Sequence, residues 1–192
     1  MQFLGQFEID SGICDALINL HKTADKQGLI QRGGFGKDGK VIVDTSKKDS
    51  YDLGLVKVPD EMLEQYKFPE YYQALLGCVE QYIEQHPMLK NVASFSIQES
   101  PIVQRYLAGG GYKLEHFERT GLASTTRMLT WMTYLNDVKD GGGTHFTNQN
   151  KTFSARKGRT LIWPTDFTHS HYGVVSETEE KYIITGWLNF TG

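Results

Sequence analysis

The sequence predicts a mainly β fold with flanking helices (α+β), in which a β-sandwich or jelly roll of short strands follows a helical half. Helical periodicity occurs twice before residue 90, and short runs rich in β-branched and aromatic residues follow from residue 92. The length of 192 residues suits one domain with a substantial core. We therefore expect a single domain over residues 1–192, with a helical and loop support region at 1–90 and a strand core at 91–192.

Composition excludes several classes of protein. Twenty Lys and Arg oppose 23 Asp and Glu, and a net charge of −3 gives no support for a nucleic-acid surface. The two cysteines exclude a disulfide framework and a cysteine-based zinc site. No run approaches 18 apolar residues, and the N-terminus lacks the basic and apolar regions of a secretory signal. We expect a cytoplasmic protein that binds neither nucleic acid nor membrane, and the sequence leaves its oligomeric state open.

The N-terminal half contains two predicted helical segments around a loop region. Residues 11–24 form the first, with Ser11 as the candidate N-cap. Residues 25–58 are rich in Gly, Lys and Asp, and we expect loops with one or two short strands. Residues 59–87 return to helical spacing and end at Pro87. The apolar face of this last segment consists of Tyr71, Leu75, Cys78, Val79 and Tyr82.

The C-terminal half alternates strands and turns. The predicted strands are ASFSIQ, VQRYLA, YKLEHFE, RMLTWMTYL, GRTLIWP and KYIITGWLNF. Glycine-rich or acidic segments separate them, namely GGG, RTG, DGGG and SETEE. Pattern alone does not separate a sandwich from a jelly roll.

The first chemical candidate is a histidine and a carboxylate two residues apart. In a strand, His116 and Glu118 share one face, so both side chains point the same way and can grip one ion. The alternative is a solvated pair on an edge strand, because a lone His-x-Glu occurs often by chance.

The second candidate lies in residues 160–190, which predict a hairpin. His169 and His171 share one face of its first strand, and Lys181 shares a face of the return strand with Trp187. A lysine among apolar neighbours needs an anionic partner, and a substrate carboxylate would serve. The alternative is a lysine that extends to the surface beside the neighbouring glutamates.

Two histidines and one carboxylate with open positions are the facial triad of non-haem Fe(II) oxygenases. Three ligands on one face leave three octahedral positions, which suit a bidentate keto acid and dioxygen. A nearby lysine would then bind the far carboxylate of that keto acid.

Residues 103–190 resemble the prolyl 4-hydroxylase branch of the 2-oxoglutarate/Fe(II)-dependent dioxygenases. The similarity covers a little under half of the chain, and its motifs occur in the order found in that family. They are YLAGGGYKLEHFE, RMLTWMTYLNDVKDGGGTHF, ARKGRTLIWP and HYGVVSETEEKYIITGW. The ten positions from His171 to Lys181 are typical of this branch.

The resemblance implies a role for each matching residue. His116, Glu118 and His171 would bind Fe(II), and Lys181 would pair with the C5 carboxylate of 2-oxoglutarate. The remaining co-substrate positions are Tyr134, Tyr106, Thr130 and Trp187. The candidate substrate-side residue is Arg127, which strand alternation assigns to the same face as Leu129 and Trp131. His145 shares a strand face with Thr147 and is a further candidate substrate contact.

Two features depart from the common family pattern. The first motif is His-x-Glu rather than His-x-Asp, and we expect metal binding to survive because the charge is kept. The distal ligand is ambiguous, because His169 lies five residues after Pro164 while His171 has the better spacing to Lys181. We favour His171, which would leave His169 beside the metal ligands or facing the substrate.

The implied fold is a double-stranded β-helix (jelly roll, cupin-like) supported by N-terminal helices, with residues 91–192 as its catalytic core. The implied function is Fe(II)- and 2-oxoglutarate-dependent hydroxylation of an unactivated C–H bond, with a prolyl residue of a peptide or protein as the preferred substrate. Dioxygen is the co-substrate, ascorbate is an optional cofactor, and succinate and CO2 are the co-products. Two alternatives remain: the same chemistry on a free amino acid or small molecule, and a non-catalytic jelly-roll binding module.

Overall fold

A computed structural model describes residues 3–37 and 40–191 of the protein. Within that range the helices are α1 (Ser11–Lys26), α2 (Asp60–Gln65) and α3 (Phe68–Gln85). The strands in the N-terminal half are β1 (Gly5–Glu8), β2 (Gln31–Arg32), β3 (Phe35–Lys37), β4 (Lys40–Ile42), β5 (Lys48–Asp49) and β6 (Tyr51–Gly54). The strands that follow are β7 (Phe95–Ser96), β8 (Ile102–Tyr106), β9 (Gly111–Tyr112), β10 (Arg127–Tyr134), β11 (Thr144–Phe146), β12 (Lys151–Phe153), β13 (Arg159–Pro164), β14 (His171–Gly173) and β15 (Lys181–Phe190).

The helices follow the predicted periodicity, with one correction at a helix cap. Asp10 rather than Ser11 caps α1, because its Oδ1 accepts hydrogen bonds from the amides of Gly12 and Ile13. The segment 59–87 contains two helical stretches, PDEMLEQYKF and PEYYQALLGCVEQYIEQH, which correspond to α2 and α3; Lys67, in the left-handed conformation, divides them. The five residues predicted for the apolar face of α3 are all buried, as expected.

An eight-stranded antiparallel sheet forms the larger layer of the fold. Its order is β1-β13-β10-β15-β8-β6-β2, and β7 pairs with the end of β15. Three of these strands come from the N-terminal half, and the segment 25–58 contains five strands rather than the one or two expected. Short strands without apolar alternation are difficult to recognise in a sequence. The N-terminal half thus contributes edges of the sheet as well as helices.

The smaller layer consists of β12, β11 and β14, with β5 and β9 paired nearby. An isolated β-bridge between His116 and His171 links β14 to the segment that follows β9. The predicted hairpin over 160–190 is therefore wrong. A 3-10 turn at Phe167–His169 separates β13 from β14, and β14 lies in the smaller sheet while β15 lies between β10 and β8.

Two apolar clusters flank the large sheet. The helices cover its outer face, where Leu17, Tyr71 and Trp131 are fully buried. The inner face packs against the smaller sheet through Phe146 and Trp163. Because side chains alternate along each strand, neighbouring residues of β10 and β15 serve different clusters. The structure confirms a mainly β jelly-roll core with flanking helices. Within the described residues, no helix is both long and apolar enough to span a membrane.

Candidate metal centre

Three side chains converge where the two sheets meet. Glu118 Oε1 lies 3.6 Å from His116 Nε2 and 3.5 Å from His171 Nε2. The three ligand atoms lie within 4.8 Å of one another. The side chains of His116 and Glu118 are 16% and 14% exposed, so the triad can be reached from solvent.

Backbone hydrogen bonds fix the two histidines relative to each other. The amide of His116 donates to the carbonyl of His171 at 3.0 Å, and the amide of His171 donates back at 2.9 Å. Each Nδ1 lies 2.9 Å from a backbone carbonyl, that of Leu114 for His116 and that of His169 for His171. A carbonyl only accepts, so each neutral ring carries its proton on Nδ1 and turns an Nε2 lone pair toward the centre.

Aromatic rings form the walls of the triad. Tyr112 stacks on His116 with ring centroids 3.8 Å apart, while Phe146 and Trp163 lie 5.3 and 5.1 Å from His171. Burial lowers the pKa of His116, and the proximity of His171 lowers it further. Burial opposes ionisation of Glu118, yet both histidines outweigh it and hold the pKa of that carboxyl well below its usual range. Both shifts favour a neutral His116 imidazole beside an ionised Glu118, the state in which these two groups bind a divalent cation.

The structure brings His171 rather than His169 to this group. His169 ends the 3-10 turn after β13, and its ring nitrogen Nδ1 lies 2.9 Å from Thr168 Oγ1. Its carbonyl is the acceptor that orients His171. The shared strand face expected for the two histidines does not exist, because the turn interrupts the strand.

A buried lysine lies inside the core beside the triad. Lys181 is 6% exposed, and its Nζ lies 4.7 Å from the centroid of the Tyr106 ring. Burial lowers the pKa of this lysine to about 8, and no carboxylate among the described residues pairs with it. A buried ammonium without an anion is costly, so the position favours an anionic ligand. The alternative of a surface lysine is wrong.

A glycine, Gly173, lies beside that ammonium. A Cβ on Gly173 would lie 3.6 Å from Lys181 Nζ and 3.3 Å from the carbonyl oxygen of Tyr112. Any side chain there would occupy the region in front of the lysine. Sequence analysis did not single out Gly173, although the quoted HYG motif contains it.

The other polar residues expected in the pocket differ in whether their hydroxyl groups already have a hydrogen-bond partner in the protein. The Tyr134 hydroxyl lies 2.7 Å from Thr144 Oγ1, and the Tyr106 hydroxyl donates to Gln104 Oε1 at 2.6 Å. Thr130 Oγ1 is buried and has no hydrogen-bond partner among the described residues. Thr130 therefore offers the pocket a free hydroxyl, whereas both tyrosines are already engaged by protein groups.

Trp187 and Arg127 lie against the carboxylate of the triad. Trp187 Nε1 donates to Glu118 Oε2 at 3.0 Å, and the Arg127 guanidinium lies 3.6 Å above the Trp187 ring. A register shift between Arg127 and Leu129 turns Arg127 away from the face that sequence alternation assigned to it. Glu99, which no sequence pattern indicated, holds Arg127 through two short hydrogen bonds.

His145 does not reach the triad. It lies between Thr144 and Phe146 on β11, and both of these neighbours are buried toward the core. The His145 ring therefore projects from the other face of the strand, where it contacts Tyr172 and Thr152. The strand alternation thus points His145 away from the triad, and its role as a substrate contact stays a prediction.

The residues present fit a divalent iron and a keto dicarboxylic acid. Two Nε2 lone pairs and one carboxylate form a facial donor set. The Lys181 ammonium, which no carboxylate among the described residues pairs with, supplies a cation for a carboxylate of the ligand. Gly173 places no side-chain atom beside that ammonium.

Comparison with known proteins agrees with this chemistry. Residues 101–189 match the family model described as the 2OG-Fe(II) oxygenase superfamily. No curated protein matches the chain.

Solved structures share the fold across nearly the whole chain. A viral collagen prolyl hydroxylase of Paramecium bursaria Chlorella virus-1, solved with 2-oxoglutarate, is 18% identical with a TM-score of 0.69, over 99% of this chain and 97% of that one. A Pseudomonas putida prolyl-4-hydroxylase is 17% identical with a TM-score of 0.71, over 98% and 94%. A Trichoplax adhaerens prolyl hydroxylase, solved with a hypoxia inducible factor peptide fragment, is 17% identical with a TM-score of 0.75, over 99% and 84%. At these identities the likeness shows a common fold.

Proposed function

Because residues 101–189 are a 2OG-Fe(II) oxygenase domain, we propose that the protein hydroxylates a prolyl residue in a peptide or protein. The proposal depends on one observation: the His116–Glu118–His171 triad occurs together with a buried Lys181 ammonium that no carboxylate among the described residues pairs with. A binding module has no use for that combination, because the buried lysine lowers stability unless a ligand pairs with it.

The chain's own residues hold and orient the reactants. When bound, Fe(II) and 2-oxoglutarate supply the oxidising power for C–H hydroxylation, with succinate and CO2 as co-products. His116, Glu118 and His171 would bind the metal, and Lys181 would bind the far carboxylate of the keto acid. Thr130 would line the pocket. The rings of Tyr112, Phe146 and Trp163 would shield part of the two histidines from solvent.

Two observations support a peptidyl substrate and a one-domain enzyme. The Trichoplax structure with a similar fold contains a peptide fragment. Residues 1–192 act as one unit in this proposal, because β1 and β6 of the N-terminal half pair with β13 and β8 of the catalytic core.

Turnover of the purified protein tests the proposal. We expect succinate formation that requires Fe(II), 2-oxoglutarate and O2, and gain of one oxygen atom by proline-containing peptides but not by free proline. His171→Ala should abolish turnover by removing a ligand. His169→Ala should retain it within about tenfold, since the carbonyl that orients His171 belongs to the backbone.

The outcomes separate chemistry from substrate. Oxygen transfer to free proline alone would replace the peptide with a small molecule and leave the chemistry in place. Loss of turnover in His169→Ala, with normal turnover in His171→Ala, would overturn the ligand assignment. Wild-type protein that forms no iron-dependent succinate would overturn the proposed function.

A further inference from the structure

We propose that Trp187, held by Arg127 and Glu99, is a positioning residue that fixes Glu118 as a one-oxygen metal ligand. We call this support of Glu118 by Trp187 the brace. This inference rests on the proposed function, because it concerns the same metal centre. It assigns to Arg127 and Glu99 a structural task in place of a substrate contact.

The two oxygens of Glu118 have different surroundings. Oε1 faces the Nε2 atoms of His116 and His171 at 3.6 and 3.5 Å. Oε2 accepts the indole hydrogen bond of Trp187 at 3.0 Å, and Arg127 Nη1 lies 3.9 Å away. One oxygen is thus presented to the metal, while the protein binds the other.

The indole is itself held in place. The guanidinium of Arg127 lies 3.6 Å above its ring, a distance at which a cation is attracted to an aromatic face. Glu99 accepts from Arg127 Nε at 2.7 Å and from Nη2 at 2.5 Å, and Asn189 Nδ2 donates to Glu99 Oε1 at 2.8 Å. Planar pairing through two oxygens fixes the guanidinium in orientation as well as position.

Most of the hydrogen-bonding capacity of Arg127 is used within the protein. Besides its two bonds to Glu99, its Nη1 donates to the backbone carbonyl of Glu118 at 3.1 Å. Three of its five N–H donors therefore bind protein groups, and the backbone of the proposed metal ligand is one of them. The sequence-based role of Arg127 at the substrate side is replaced by a role behind the metal ligand.

A glutamate needs such support more than an aspartate does. The additional methylene moves the carboxylate about 1.5 Å further from the backbone and adds a rotatable bond. Without a partner for Oε2, the carboxylate could rotate or swing away from the histidines. The indole hydrogen bond removes that freedom, which accounts for a working His-x-Glu arrangement.

Metal affinity tests the role of Trp187 directly. Anaerobic titration with Fe(II) in the presence of 2-oxoglutarate should show about tenfold weaker metal binding in Trp187→Phe, the lower end of the range for partners of metal ligands. The visible charge-transfer band of the Fe(II)-bound keto acid should also shift, because the ligand carboxylate loses a hydrogen bond. Trp131→Phe is the matched control, since its indole N–H has no hydrogen-bond partner among the described residues and the ring lies on the helix side of the sheet. It should leave both readouts unchanged.

Two further variants keep the test decisive. Arg127→Lys, which preserves the charge but not the paired geometry, should weaken Fe(II) binding about threefold if the brace extends to Glu99, a smaller loss than direct removal of the indole N–H. In a Glu118→Asp background the shorter side chain no longer reaches the indole, so Trp187→Phe should then add less than about a twofold change.

Each outcome bears on a specific claim. An unchanged Fe(II) affinity and band in Trp187→Phe, with normal binding by the wild type, would overturn the brace and leave the proposed function intact. An equal loss in the Glu118→Asp background would show that Trp187 acts through general packing and would also overturn it. A wild type that fails to bind Fe(II) would instead overturn the proposed function and the brace together.

Discussion

The two ends of the site differ in how their charged groups are satisfied. At the metal end, Glu118 lies between two histidines and an indole, and a clamped guanidinium lies behind that indole. At the end proposed for the keto acid, the described residues offer the Lys181 ammonium the face of the Tyr106 ring. The charges at the first end are paired within the protein, whereas no carboxylate among the described residues pairs with Lys181.

This difference shows where the fold is preorganised and where it depends on its ligand. The charges at the metal end are already paired within the protein, so its donor atoms are in place before a ligand binds. An unmatched buried ammonium lowers the stability of the free protein and is stabilised on binding. Substitutions at the two ends should therefore have different effects on stability and affinity.

Removal of the lysine charge should have the largest effect. Lys181→Met should raise the dissociation constant for 2-oxoglutarate by about 30-fold or more, because loss of one partner from a buried charge pair costs at least about 2 kcal/mol. Isothermal titration of the Fe(II)-loaded protein measures this change, and Lys181→Arg should recover part of the affinity. An affinity close to that of the wild type would show that the ammonium is not the anion-binding group.

The same variant should stabilise the ligand-free protein. The pKa of Lys181 falls from 10.5 to about 8, so the folded state binds this proton less tightly than the unfolded chain. The cost, about 3 kcal/mol by linkage, is fully present below pH 8 and disappears as the pH rises toward 10.5.

Denaturant unfolding without ligand measures both parts of this prediction. Lys181→Met should be more stable than the wild type at pH 7, and the difference should narrow between pH 8 and pH 10. A wild type that loses stability over this interval relative to the variant would contradict the buried, unpaired state of the lysine.

The smallest expected effect concerns Gly173, which lies next to the lysine. A Cβ at Gly173 meets its neighbours at 3.3–3.6 Å, which requires a shift of a few tenths of an ångström rather than a rearrangement. Gly173→Ala should weaken 2-oxoglutarate binding several-fold, by about 1 kcal/mol or less, and leave Fe(II) binding unchanged. Weaker Fe(II) binding in this variant would show that the two ends are not separable.

Sequence reasoning succeeded where residues are tied to each other by short or motif-like spacing. His116, Glu118, His171 and Lys181 were all identified in advance, and the structure brings the first three together. The buried face of α3 followed from a 3.6-residue period that tertiary packing preserved.

The errors arose where geometry depends on distant partners. The hairpin over 160–190 was wrong because β14 pairs with β11 in the other sheet, and local alternation carries no information about a pairing partner. The face of Arg127 was wrong because a bulge interrupts the alternation. Glu99 was missed because it is 28 positions from Arg127 in the chain, and nothing in either local pattern indicates that they pair.

The backbone bridge between His116 and His171 has a consequence for the order of folding events. The two residues are 55 positions apart, so their contact closes a long loop and belongs to the assembled smaller sheet. In an unfolded chain this loop closure disfavours binding of one ion by both imidazoles, unlike in a zinc finger, whose metal organises a short segment. Iron would therefore bind to the protein after it has folded. It would retard unfolding and leave the rate of folding unchanged, because the interactions it makes are absent from the folding transition state.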